Sequence, residues 1–260
     1  MNAQYDDFAP FYDLEYDHKD NDLPFYLSLA KRYHGPVLEI GAGTGRITFP
    51  IARQGQRIIG IDNSHAMLKI AKQKLLGMNT KVRSRIGFLA ADMRRFTLQT
   101  HFNLCISPFR TFLHNLTIAD QLATLRSVHH HLADQGILAL DLFVPLYTVL
   151  SRLEWADEIE EQDLAHANSG ISIQMHIRHI PEQQLLKIKN TYLENTQRKN
   201  RSGVTLEMQY RYIFRYEMEL LLRMVGFHVL HVYGGFEEQP YDFHSGMMVF
   251  VAKKASETPS

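Results

Sequence analysis

The chain has 260 residues, 45% hydrophobic, 22% charged and 11% aromatic, a composition that excludes disorder and collagen-like fibre and suits one large or two small domains. Twenty-eight Lys and Arg balance twenty-eight Asp and Glu, so no summed field is present to hold a polyphosphate backbone, and nucleic acid is not an expected partner. No apolar run approaches the roughly 18 residues that cross a bilayer, the opening Met1 to Asp7 is acidic where a signal peptide is basic, and the single Cys105 excludes an internal disulfide or a multi-cysteine metal site. The expectation is a cytoplasmic protein without membrane contact or bound metal.

Asp22 reads as the cap of a helix with Pro24 in its first turn, stopped by Gly35-Pro36 before a first strand at Val37-Leu38-Glu39-Ile40. A glycine-rich turn and a helix to about Arg53 follow. Arg57 to Asp62 then reads as strand two and Ser64 to Leu76 as a helix closed by Gly77. Ile86 to Ala90, Leu104 to Ile106 and Ile137 to Leu142 read as strands three to five, the last behind a helix from Ile118 to Leu132. Near-continuous apolar strands alternating with helical patterns predict βαβ units and a parallel sheet buried on both faces. From about Trp155 the pattern changes. Ile171 to Ile180, Leu185 to Tyr192 and Val204 to Phe214 alternate at period two, as antiparallel strands with one wet face do. A helix from Arg215 to Val225, ended by Gly226, leads to two final strands, Val229 to Tyr233 and Met248 to Ala252, and Ser256 to Ser260 reads as a frayed tail. The reading is a single domain over 1–260: a lid at 1–21, a core at 22–154, a β cap inserted at 155–214, and a last helix with two strands at 215–254.

The segment Glu39-Ile40-Gly41-Ala42-Gly43-Thr44-Gly45-Arg46 lies where strand one turns into a helix, the place where ligands bind in a doubly wound sheet. The dinucleotide fingerprint requires a glycine at position 46, and Arg46 occupies it. An acid two residues before the first glycine repels a phosphate and suits a ligand bearing an amino group. Asp62 closes strand two, where a carboxylate accepts both hydroxyl hydrogens of a ribose. Asp92, followed by Met93 after strand three, can accept from an adenine amine while the next N–H and thioether meet the ring.

In this order on successive strands, Glu39 to Gly45, Asp62-Asn63-Ser64-His65-Ala66-Met67-Leu68 and Ala91-Asp92-Met93 resemble the class I S-adenosylmethionine-dependent methyltransferases. The resemblance implies a Rossmann-like sheet of seven mostly parallel strands with the last antiparallel. It further implies S-adenosylmethionine as cofactor, held by Glu39, Gly41, Gly43, Gly45, Asp62, Asp92 and Met93, with Asn63, Met67 and Ser107 as neighbours. Tyr5 to Asp13 is similar to the lid of the small-molecule branch, which includes amino-sugar N-methyltransferases; Tyr12 is chosen to cover the methionyl carboxylate, with Tyr5 and Tyr16 as competitors. The sequence of the cap matches no one substrate class.

Ser107-Pro108-Phe109-Arg110 departs from the Asn/Asp-Pro-Pro-aromatic sequence of base-amino methyltransferases. Within this stretch Arg110 is a candidate clamp for a substrate carboxylate and His114 a candidate general base, set against a solvated arginine and a satisfied core histidine. His129-His130-His131 do not share a helix face and read as a polar helix end. The predicted function is methyl transfer from S-adenosylmethionine to N or O of a small molecule, with a homodimer as a candidate assembly. Competing readings are a nicotinamide-dependent oxidoreductase, a non-catalytic nucleoside-binding protein, and a nucleic-acid methyltransferase with a local basic patch.

Overall fold

A computed structural model describes residues 5–16, 18–147, 150–151, 158–163, 171–194 and 203–255. A short helix α1 (Ala9–Tyr16) precedes α2 (Leu23–Arg32), β1 (Val37–Ile40), α3 (Thr48–Arg53), β2 (Ile58–Asp62), α4 (His65–Leu76), α5 (Thr80–Arg83), β3 (Ile86–Ala90) and β4 (Phe102–Ser107). After a 3-10 turn at Thr111–His114 come α6 (Ile118–His131) and β5 (Leu132–Phe143). Four strands form the cap: β6 (Glu158–Asp163), β7 (Ile171–Ile180), β8 (Leu185–Glu194) and β9 (Gly203–Arg211). The chain closes with α7 (Arg215–Met224), β10 (Phe227–Tyr233) and β11 (Met247–Lys254).

The main sheet has seven strands in the order β10-β11-β5-β4-β1-β2-β3. Its first five strands in chain order run parallel, and β11 is antiparallel to both its neighbours, β5 and β10. Successive residues face opposite layers. Leu38, Ile40, Cys105, Leu138 and Leu140 pack with Leu125 and Val128 of α6 and Met218 and Leu221 of α7. Val37, Ile58, Leu104, Ile106 and Ala139 pack with Tyr26 and Leu29 of α2 and Ile51 of α3. Every residue of β1 is buried, which explains the unbroken apolar lettering of the central strands.

The cap is a separate antiparallel sheet in the order β6-β7-β8-β9. Its inner residues Ile173, Tyr192 and Leu206 join Phe8 and Ala9 of the N-terminal segment and Met67 of α4 in one apolar cluster. The N-terminal segment, the second sheet and α4 therefore share a small apolar core of their own.

The sequence reading placed the cap strands within a few residues and omitted β6. Trp155 and the tail Ser256 to Ser260 lie outside the described residues. One local expectation is corrected. Asp22 stands before α2 but makes no side-chain cap bond; its carboxylate is taken by Arg46 instead. His129, His130 and His131 do close α6, and His131 is buried there, where it stacks on Phe96 at 4.4 Å and accepts the Leu98 N–H at 3.0 Å.

Candidate active site

The tips of β1, β2 and β3, the turn after β4 and the N-terminal segment enclose a cavity of about 200 Å³. Glu39, Gly41, Gly43, Asp62, Asn63, Met67, Asp92, Met93, Tyr12 and His114 all line it. The structure thus brings together most of the residues that the spacing singled out. Gly45, Ser107 and Arg110 stand outside the lining. Gly45 has φ +90° and lies so close to the Phe49 ring that a Cβ would collide with it. Ser107 is buried at the end of β4 and its hydroxyl has no hydrogen-bond partner. The Arg110 side chain is exposed, with its guanidinium 5.9 Å from the Phe143 ring centre, and it is not among the residues that line the cavity.

The glycine loop spends its donors inside the protein. Gly41 and Ala42 donate to the Ile61 carbonyl, Gly45 to the Ala42 carbonyl, and Gly43 to Asp62 Oδ2 at 2.8 Å. A pyrophosphate cradle needs those N–H groups free. The wall facing the ligand instead presents acceptors. Asp62 Oδ1 takes the Ser64 N–H at 2.8 Å, and Ser64 itself caps α4 through the Met67 N–H at 3.1 Å. The shielded position raises the Asp62 carboxyl above its usual range, against the pull of these backbone donors. Each oxygen has lone pairs left for a diol.

Glu39 is buried on the α3 side of β1, its Oε2 accepting the Thr48 hydroxyl. Burial pushes its carboxyl up to about 8, so it holds a proton at neutral pH. Asp92 is more exposed and engaged: Arg94 binds both its oxygens and also reaches Asp120 at 2.9 Å. Those bonds to Arg94 hold the Asp92 carboxyl below its usual value.

Arg46 was read only as the residue that breaks the dinucleotide fingerprint, yet it lines the cavity. Its terminal nitrogens clamp Asp22, both at 2.6 Å, while its Nε is buried and has no hydrogen-bond partner. A basic residue at a ligand-facing helix start beside a lid rich in acids was the available signal. Tyr12 stands opposite, its ring 4.0 Å from where a Gly43 Cβ would be.

His114 joins three parts of the chain. Its Nδ1 lies 3.2 Å from the Gln209 carbonyl of β9, and a carbonyl only accepts, so Nδ1 carries the proton. Nε2 is then the acceptor for the Tyr5 hydroxyl at 2.9 Å, and Tyr210 of the cap adds its own hydroxyl at 3.3 Å from that of Tyr5. Burial lowers the imidazole to about 4, leaving it neutral at physiological pH. Tyr210 is the residue that sequence reasoning missed here, because its approach depends on how the cap folds back. Among the described residues no three His, Cys, Asp or Glu side chains lie close enough to hold a metal ion. No helix among them is long and apolar enough to cross a membrane.

Residues 37–136 match the family model described as a methyltransferase domain. Over 254 residues the chain is 26% identical to a protein of Bacillus subtilis (strain 168) named as a methyltransferase, YqeM, covering 96% of this chain and 97% of that one. Among solved structures, the CcbJ methyltransferase from Streptomyces caelestis superposes with a TM-score of 0.84 at 20% identity, covering 98% of both chains. CalS10, described as an amino pentose methyltransferase from Micromonospora echinaspora with SAM bound, superposes with a TM-score of 0.65 at 18% identity over 88% of this chain and 87% of that one. At such identities these two structures establish a shared fold.

Proposed function

We propose that the chain is a class I S-adenosylmethionine-dependent methyltransferase, in keeping with its methyltransferase-domain match and methyltransferase relatives, and that it transfers a methyl group to the nitrogen of a small organic amine enclosed between the core and the cap. The observation that carries this reading is the convergence of Glu39, Asp62 and Asp92, from three adjacent strand tips, on one cavity whose loop spends the N–H groups of Gly41, Gly43 and Gly45 inside the protein instead of on a diphosphate. These residues fit an adenosine with an amino-acid tail. Asp62 suits the ribose hydroxyls, Asp92 and Met93 the adenine, Glu39 the ammonium, and the unpartnered Arg46 Nε with Tyr12 the carboxylate. The sulfonium supplies an electrophilic methyl. The protein contributes orientation and the exclusion of water.

A neutral acceptor environment favours nitrogen over oxygen. His114, held near 4, is a poor base for removing a hydroxyl proton, whereas the Tyr5 hydroxyl oxygen, whose proton is directed to Nε2, can accept from an amine that arrives uncharged. The amino pentose named for the CalS10 structure belongs to this class of acceptor. A small-molecule acceptor also agrees with the balanced charge of the chain, which offers nucleic acid no overall field. We place its work in the cytoplasm and read 1–260 as one domain.

Separate calorimetric titrations with S-adenosylmethionine, S-adenosylhomocysteine and NAD test the donor. Both sulfur compounds should bind and NAD should not; tight binding of NAD alone would overturn the reading. Screening a panel of amines and alcohols for release of S-adenosylhomocysteine then tests the acceptor, and turnover confined to alcohols would contradict the nitrogen assignment.

A further inference from the structure

We propose that Asp141 is a positioning residue: its carboxylate holds the turn Pro108–Thr111 in the conformation that forms one wall of the donor cavity. The name of the cavity rests on the methyl-transfer reading, but the anchoring does not. Asp141 sits in β5 between β4 and β11, where Leu140 pairs with Ser107 and Asp141 with Val249. A carboxylate in a strand buried on both faces is costly unless its oxygens are occupied. Here Asp141 is 5% exposed and its oxygens are well supplied: Oδ1 accepts the Tyr26 hydroxyl at 2.7 Å and the Phe109 N–H at 2.8 Å, and Oδ2 accepts the Arg110 N–H at 3.1 Å.

Those two amides belong to a strained turn. Phe109 has φ 57° and Arg110 φ 63°, consecutive left-handed conformations that side chains with a Cβ rarely adopt. Successive N–H groups in such a turn converge to form a small anion-binding hollow, and the Asp141 carboxylate fills it from below. The turn aims its side chains at three neighbours. The Phe109 ring lines the cavity, meets Tyr16 of α1 edge-on at 4.8 Å and faces the Arg46 guanidinium at 5.2 Å. Thr111, whose hydroxyl donates to the Pro108 carbonyl at 2.7 Å, packs against Gly41 so closely that a Cβ there would lie 2.5 Å from its methyl. His114 follows within the same 3-10 turn. Releasing the turn would therefore move the glycine loop, the lid contact and the histidine together.

Hydrogen exchange on the ligand-free full chain tests the anchor directly. The Phe109 and Arg110 amides should exchange at least tenfold more slowly than expected for an unbonded loop; free-loop rates in the wild-type protein would overturn the proposal without any variant. Asp141→Asn should speed their exchange at least tenfold and weaken S-adenosylhomocysteine at least fivefold by calorimetry. Glycine adopts positive φ without strain, so adding Arg110→Gly to Asp141→Asn should restore affinity to within about twofold of Arg110→Gly alone, even if the melting temperature stays low. Wild-type exchange and affinity in Asp141→Asn, or a loss that Arg110→Gly leaves uncorrected, would reduce Asp141 to packing. If the wild-type protein binds no sulfur compound, the donor reading fails while the exchange data still decide the anchor.

Discussion

Asp62 shows how one side chain can serve both the fold and the ligand. It ties the Gly43 and Ser64 N–H groups together and still turns unused lone pairs into the cavity. Asp62→Ala should therefore weaken S-adenosylhomocysteine by at least about 1 kcal/mol, from the loss of a charged acceptor, and lower the melting temperature as well. Unchanged affinity by calorimetry would remove Asp62 from the ribose site. Glu39 carries a different prediction. With its carboxyl pushed up to about 8 it is protonated in the free protein at pH 7, and an ammonium placed beside it would ionise it. Binding at pH 7 should release about one proton, read as a dependence of the calorimetric enthalpy on buffer ionisation enthalpy. The dependence should vanish in Glu39→Gln.

At the scale of elements, the N-terminal segment is fastened at both ends by carboxylates. Asp6 accepts the Ser64 hydroxyl at 2.6 Å and the Ala66 N–H at 3.0 Å at the start of α4, a helix end that favours a negative charge. Asp13 accepts the Thr44 hydroxyl at 2.6 Å and meets Lys74 at 2.7 Å, and Glu15 accepts the Tyr192 hydroxyl of the cap. The lid is held more by these bonds than by α1, whose eight residues are too few to persist alone. Asp6→Ala should raise hydrogen exchange across residues 5–16 several-fold and leave β1 to β4 protected. Unchanged exchange in the lid would show that the apolar cluster around Phe8 suffices to hold it. The expectation of a lid came from the resemblance of Tyr5 to Asp13 to the small-molecule branch, whereas the fastening of this segment left no sequence signal, because each acid finds its partner on a distant element.

For the whole molecule, two buried groups set opposite slopes of stability with pH. His114 has an ordinary value of 6.5 and a folded value near 4, so the unfolded chain takes up a proton first and stability falls as pH drops from 6.5 towards 4. Glu39 has an ordinary value of 4.5 and a folded value near 8, so the unfolded chain loses its proton first and stability falls as pH rises from 4.5 towards 8. Above 6.5 only the Glu39 effect of this pair remains. Melting temperature should decline between pH 6.5 and 8 in the wild-type protein, and Glu39→Gln should flatten that decline. An equal slope in both would show that Glu39 is ionised in the folded state.

What the sequence determined by itself was whatever depends on neighbours in the chain. Apolar periods wrote the strands of the main sheet and the burial of the central ones, though not of the edge strand β3, which is half-exposed; Ser64 marked the start of α4, and the spacing of Glu39, the glycines, Asp62 and Asp92 placed the acids at successive strand tips. Tertiary structure decided the partners, because hydrogen bonds across tens or hundreds of residues leave no local pattern. Arg46 took Asp22 away from its helix, and Tyr210 came from the cap to stand by Tyr5 and His114. The clearest case is Arg110: its side chain, which the sequence made prominent, does not line the cavity, while its backbone N–H is held by Asp141 from another strand.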